Sequence, residues 1–133
     1  RKPHGIYKSR DLEPEVAPAK AWDKPVIVLL NEHSYSNGEM FPYAMRQRQL
    51  AQLVGMPTPG YVIWTSSLTL TDGTKGRIPG AGVFRMDGTN MENNGEKPDV
   101  QIWMTPEERL SGKDPQLAKA IELLQPKPTN AQP

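Results

Sequence analysis

Five consecutive apolar residues, Val26, Ile27, Val28, Leu29 and Leu30, lie between Pro25 and Asn31. That is the pattern of a strand covered on both faces in a mostly parallel sheet. A polar, turn-prone run follows, Asn31-Glu32-His33-Ser34-Tyr35-Ser36-Asn37-Gly38, and from 39 to about 52 Met40, Phe41, Ala44 and Met45 recur at helical spacing. Pro42 is tolerated in a first helical turn, which puts the helix start near Gly38 or Glu39. Leu53-Val54-Gly55 reads as a short strand, followed by the turn Pro57-Thr58-Pro59-Gly60. Residues 61–64 and 68–70 are β-branched and aromatic enough for paired strands. Asp72-Gly73 and Asp87-Gly88 are turn signals, and residues 82–86 between them predict a strand of a hairpin-like layer. Val100, Ile102 and Met104 alternate as a last strand. Thr105-Pro106-Glu107-Glu108 is a capping box with proline at the first helical position, and Asp114-Pro115 repeats the cap and proline. Leu117, Ala120, Ile121 and Leu124 then form one apolar stripe, expected to face a core or an interface.

Composition narrows the function more by exclusion than by assignment. A length of 133 residues suits one domain, and a net charge of +1 without a basic, aromatic-interleaved stripe argues against nucleic acid and against an anionic membrane surface. No apolar run approaches the roughly 18 residues needed to cross a bilayer, and no signal peptide is visible. With no cysteine, a disulfide framework, a thiolate zinc site and a cysteine nucleophile are all excluded. Two histidines without a His-Glu-Xaa-Xaa-His pattern leave a metalloprotease poorly supported. No metal or organic cofactor is expected. The compartment is not legible, with an extracytoplasmic or periplasmic setting slightly favoured over a cytoplasmic one.

The chemistry-bearing feature is the serine at the strand-to-helix junction. Ser36 lies among the unpaired N–H groups at the positive end of a helix, where an oxyanion is stabilised. Serine is also a common N-cap, and the local pattern alone favours that role over a nucleophile.

In order along the chain, NEHSYSNGEMFPYAM, LVGMPTPGYVIW, DGTKGRIPGAGVFRMDGTNMENNGEKPDV and TPEERLSGKDPQLAKAIELL resemble the C-terminal catalytic part of the tricorn and tail-specific (C-terminal-processing) serine peptidases. The resemblance runs from about 22 to 124. It implies an α/β fold of the ClpP/crotonase-like spiral type, of which this chain is the C-terminal portion of the catalytic domain. Residues 1–21 then read as an extended connector and residues 125–133, with three prolines among polar residues, as a disordered tail.

The resemblance also implies roles. Ser36 rather than Ser34 takes the nucleophile's position, and the N–H of Asn37 supplies half of an oxyanion hole. The tail-specific branch places a lysine directly after the Pro-Thr-Xaa-Gly turn; here Tyr61 stands there, which excludes a serine–lysine dyad at that position. Lys75 reads as a solvated loop charge. The tricorn branch uses a histidine base and a downstream glutamate, and the glutamate's position before Gly95-Glu96-Lys97-Pro98-Asp99 is Glu92. Tyr61 and His33 are substrate-side candidates. His33 is a poor candidate for the base and His4 reads as peripheral, so the base is expected outside this chain. A chain that begins with Arg1 and lacks its base reads as a piece of a longer polypeptide, with β-propellers, a PDZ domain and the N-terminal catalytic segments as its expected partners. A peptide or protein substrate and a homo-oligomer complete the expected partners. Arg46, Arg48 and Arg77 are either peptide-carboxylate ligands or solvated charges. The other readings are a non-catalytic ligand-binding relative of the same fold, an acyl-CoA enzyme of crotonase type, and a structural interface domain.

Overall fold

The computed structural model describes residues 5–8, 10–11, 13–17 and 22–126. His4 and residues 127–133 of the tail lie outside the described residues. Within the segment expected as an extended connector, β1 (Gly5–Tyr7) and β2 (Glu15–Ala17) pair antiparallel.

The apolar run forms β3 (Ile27–Leu30), which crosses through α1 (Asn37–Gln47) to β4 (Gln52–Gly55). β3 and β4 are parallel, with Ile27 opposite Gln52 and Leu30 opposite Gly55, and β7 (Val100–Gln101) adds in parallel on the other side of β4. The parallel order β3-β4-β7, with α1 on the crossover from β3 to β4 and two further helices after β7, makes this an α/β fold. β4 is the central strand, and Leu53 and Val54 are fully buried. β3 has one neighbour in this sheet, and Leu29 stays 41% exposed, so the double-sided cover expected for residues 26–30 is incomplete.

α1 starts at Asn37, which puts Pro42 in the second turn rather than the first; proline leaves the Gly38 carbonyl without its intrahelical donor. The helix stops at Gln47, short of 52, where Gln49 takes a left-handed conformation (φ 52°) and turns the chain into β4.

β5 (Ile63–Thr69) is one strand rather than two pieces, and it pairs antiparallel with β6 (Lys75–Gly82) around the Asp72-Gly73 turn. The expected strand over 82–86 is displaced: Gly82 ends β6, and beyond it Phe84 forms a single bridge, to Asn90, around Asp87-Gly88. Pro79 is accommodated because the register shifts between Trp64 and Thr65, and bulges on edge strands tolerate a residue without an N–H.

The capping box is present as read: Thr105 Oγ accepts from Glu108 N at 3.1 Å and Glu108 Oε2 accepts from Thr105 N at 2.8 Å, opening α2 (Pro106–Leu110). Asp114 caps α3 (Pro115–Leu124) by accepting from Leu117 N at 2.8 Å. α3 packs on β3 and β4 through Ala120 and Gln116, whose amide donates to the Ile102 carbonyl. The predicted stripe turns inward only at Ala120; Leu117, Ile121 and Leu124 remain 44–51% exposed.

Candidate active site

The junction between β3 and α1 is built from two consecutive turns. In the first, Ser34 N donates to the Asn31 carbonyl (2.9 Å) and Asn31 N to Ser34 Oγ (3.1 Å), which consumes Ser34 as a turn residue. His33 donates its backbone N–H to Asn31 Oδ1 (2.9 Å), and its exposed ring lies beside Glu32. In the second, Gly38 N donates to the Tyr35 carbonyl (2.9 Å) with Ser36 at φ 56°, ψ −119°. Those are the angles of the first central residue of a type II′ turn, a position dominated by glycine.

Ser36 occupies the N-cap position, yet its side chain makes no capping hydrogen bond. Its carbonyl takes over the helix start by accepting from Glu39 N (2.8 Å) and Met40 N (3.1 Å). The hydroxyl is exposed and uncommitted, which separates it from an ordinary cap serine. Asn37 N–H has no acceptor among the described residues, as expected of a first-turn amide, and stands at the positive end of the helix dipole.

The elbow is held from below by Glu39, a residue the sequence reading used only to mark the helix start. Its carboxylate is fully buried and accepts from Gly60 N (2.9 Å), Tyr61 N (2.7 Å) and the Thr58 hydroxyl. Tyr61 in turn accepts from Ser36 N at its carbonyl (3.0 Å). A buried carboxylate with three donors is satisfied, and in the first turn it also complements the helix dipole. No local signal marks Glu39 for burial: an acid in a first turn usually faces solvent, and only the docking of the Pro57–Gly60 turn encloses it.

A second buried carboxylate, Glu96, extends the same framework. Glu96 N donates to Thr58 Oγ1 (2.7 Å) and Thr58 N to the Glu96 carbonyl (3.0 Å), while its carboxylate meets Arg46 and, at 3.1 Å, Arg85. Arg46 also donates to the Lys97 carbonyl (2.7 Å). It is therefore a structural cation rather than a candidate peptide ligand. Two glycines make this docking possible: Gly60 sits at φ 79° with Asn94 N 2.8 Å from where a Cβ would be, and a Cβ on Gly95 would lie 2.0 Å from the Thr58 carbonyl oxygen.

Glu92 reaches the same region from the other side, where its Oε2 accepts from Val62 N at 2.7 Å. Glu92 is half-buried, and its Oε1 accepts no hydrogen bond among the described residues. A groove of about 240 Å³ opens between α1 and the β5–β6 hairpin, with Ser36, Asn37, Met40, Val62, Trp64 and Arg77 among its walls. The structure thus brings Ser36 and Asn37 into one groove and joins Glu92 to it through Val62. The side chains of Tyr61 and His33 lie outside its lining; Tyr61 is 63% exposed and serves the site through its main chain. Among the described residues no group of His, Cys, Asp or Glu is arranged to hold a metal ion, and no helix is long and apolar enough to cross a membrane.

Comparison with known proteins gives the same direction. The chain is 40% identical over 101 residues to the tricorn protease of Thermoplasma acidophilum, a match that covers 74% of this chain and 9% of that protein. Among solved structures, it superposes on the tricorn protease with a TM-score of 0.75 at 33% identity, covering 93% of this chain and 12% of the other. A putative peptidase from Parabacteroides merdae gives a TM-score of 0.67 at 32% identity, covering 84% of this chain and 35% of the other. The chain spans about a tenth of the length of its tricorn relatives. Peptidase family S41 matches residues 2–102, and the chain belongs to that family.

Proposed function

We propose that this chain carries the nucleophile side of a serine peptidase active site within a longer, tricorn-like polypeptide. The observation that carries the reading is Ser36 itself: an exposed hydroxyl without a capping bond, held at a glycine-like φ beside the free N–H of Asn37. A serine that served only as a cap would use its side chain and would not need a strained backbone.

In this reading Ser36 Oγ attacks the scissile carbonyl and gives its proton to a histidine supplied by another part of the parent polypeptide. Asn37 N–H donates to the oxyanion that forms on the carbonyl oxygen. The amine leaves with the proton returned by the histidine, and water then hydrolyses the acyl–serine ester. Glu92, with Oε1 available, orients that histidine or the water network around it. The finer architecture proposed is the ClpP/crotonase-like spiral, with β3 as the strand that delivers the nucleophile. Substrates are peptides or unfolded protein segments, and the partner is the remainder of the parent chain, with β-propeller and PDZ domains expected there.

The test is covalent labelling of the parent polypeptide by a fluorophosphonate, read by peptide mapping. Modification at Ser36 that disappears in Ser36→Ala supports the nucleophile; an active parent that is labelled at another serine removes it.

A further inference from the structure

We propose that Arg77 makes the Ser36 groove a carboxylate-binding subsite, so that the site selects peptides bearing an anionic group next to the scissile bond. The proposal rests on the reading of Ser36 as nucleophile and names the substrate class of that same groove.

The arginines of this chain fall into different environments. Arg46 and Arg85 are tied to the buried Glu96, and their charge is spent within the framework. Arg77 instead projects from β6 into the wall of the groove that Ser36 and Asn37 share. Its Nε donates to Thr65 Oγ1 at 2.7 Å. Thr65 lies on the paired strand, two residues from Ser67, the cross-strand partner of Arg77. That bond fixes the plane of the guanidinium from one edge and leaves Nη1 and Nη2 without a protein acceptor among the described residues. No Asp or Glu forms an ion pair with it there.

A guanidinium held by Nε, with both terminal amino groups free, presents a planar two-donor fork, and a carboxylate is the group that matches it. Met40, Val62 and Trp64 stand in the same lining beside the polar Ser36, Asn37 and Thr65, and Arg77 is itself exposed, so the pair forms in contact with water and is screened by salt. The same fork accepts either of two sources, an acidic side chain flanking the scissile bond or the C-terminal carboxylate of a peptide cut near its end.

The experiment separates these sources and does not depend on turnover. Binding of labelled peptides to the parent polypeptide carrying Ser36→Ala is measured by fluorescence anisotropy. One core sequence is used in several forms: neutral with Gln and an amidated end, with a free C-terminal carboxylate, and with Glu in place of Gln on either side of the scissile bond. A carboxylate form should bind about fivefold more tightly than the neutral peptide, the upper scale of one pair at an exposed arginine. The ratio should fall to near one when Arg77→Ala is added, be partly kept by Arg77→Lys, and shrink as salt is raised. Whether the Glu forms or the free-end form carries the ratio identifies the source. A ratio near one for every carboxylate peptide overturns the proposal, as does a ratio that survives Arg77→Ala. If Arg77→Ala is poorly folded, the salt dependence and the Arg77→Lys ratio decide. Fluorophosphonate labelling of the wild-type parent reports on Ser36 separately, so failure of the nucleophile reading and failure of the subsite give different results.

Discussion

Ser36 holds φ 56°, and a non-glycine residue in such a region costs about 1–3 kcal/mol that the surroundings must offset. The offset is visible in the bonds at its two sides: Ser36 N to the Tyr61 carbonyl, and Glu39 N and Met40 N to the Ser36 carbonyl. Glycine at this position would relieve the strain and lose about 0.5–1 kcal/mol through the greater freedom of the unfolded chain. Strain relief is the larger effect. Amides 36–40 of Ser36→Gly should therefore exchange hydrogen about fivefold more slowly than those of Ser36→Ala, which corresponds to about 1 kcal/mol of local stability. Equal exchange in the two variants would show that the backbone angles carry no strain. Glu39→Gln tests the layer beneath. The amide keeps the volume but points an NH₂ at one of the donors from Gly60, Tyr61 or Thr58, and an unsatisfied buried group costs about 1–3 kcal/mol. The Tyr61 carbonyl that holds Ser36 N then loses its anchor. Fluorophosphonate labelling at Ser36 in the parent should slow by about tenfold or more, whereas an unchanged rate would make Glu39 a packing residue only.

Among the elements, those announced by local chemistry were legible in the sequence. The capping box at Thr105, the cap at Asp114, the run ending at Leu30 and the parallel strand at Leu53-Val54 all follow from rules that act within a few residues. The candidates Ser36, Asn37 and Glu92 came from the order of motifs, and their catalytic roles are proposals. The β6 strand was not legible, because Lys75-Gly76-Arg77-Ile78-Pro79-Gly80-Ala81-Gly82 has little strand propensity and forms one only through its partner β5. Glu39 and Glu96 were missed for a related reason: their burial depends on contacts with the Pro57–Gly60 turn that no local spacing encodes. The two Asp-Gly turns were legible, and they carry a pH signature. Asp72 accepts from Thr74 N (2.9 Å) and Asp87 from Thr89 N (2.9 Å). Those hydrogen bonds, with the threonine side chains, hold each carboxyl below the usual carboxylate range. Because the folded-state values are depressed, the support these bonds give the turns is present above the unfolded value and is lost as pH falls through the folded one. The Thr74 and Thr89 amide resonances should therefore titrate with midpoints below about 3.9, the free-chain value for aspartate. Midpoints at or above that value would mean the turns do not hold the ionised form.

At the scale of the whole molecule, the buried apolar residues among those described are few, with Leu30, Leu53, Val54, Val62, Met91 and Ala120 at the centre. Trp64, Phe84, Leu117, Ile121 and Leu124 keep 44–60% of their surface. Apolar faces of this extent on the β5–β6 hairpin and α3 are the kind that meet other protein surfaces. The proposed catalytic groups are divided in the same way. The candidates Ser36, the Asn37 N–H and Glu92 lie at or beside the groove, but the one described histidine, His33, has its ring outside the groove lining. An oxyanion donor contributes about 3 kcal/mol to lowering a barrier, while a positioned general base contributes about 10²–10⁴ in rate. The donor cannot replace the base, because hydrogen bonding to the carbonyl oxygen does nothing to remove the serine proton. With the base supplied from elsewhere in the parent, fluorophosphonate labelling of Ser36 in the isolated 133-residue chain should be at least about 100-fold slower than in the parent. Far-UV circular dichroism and peptide mapping of both would separate a missing base from a failure to fold. A folded isolated chain labelled at the parent's rate would place a sufficient base within these residues. His33, in the turn just before Ser36, would then be the first group to replace.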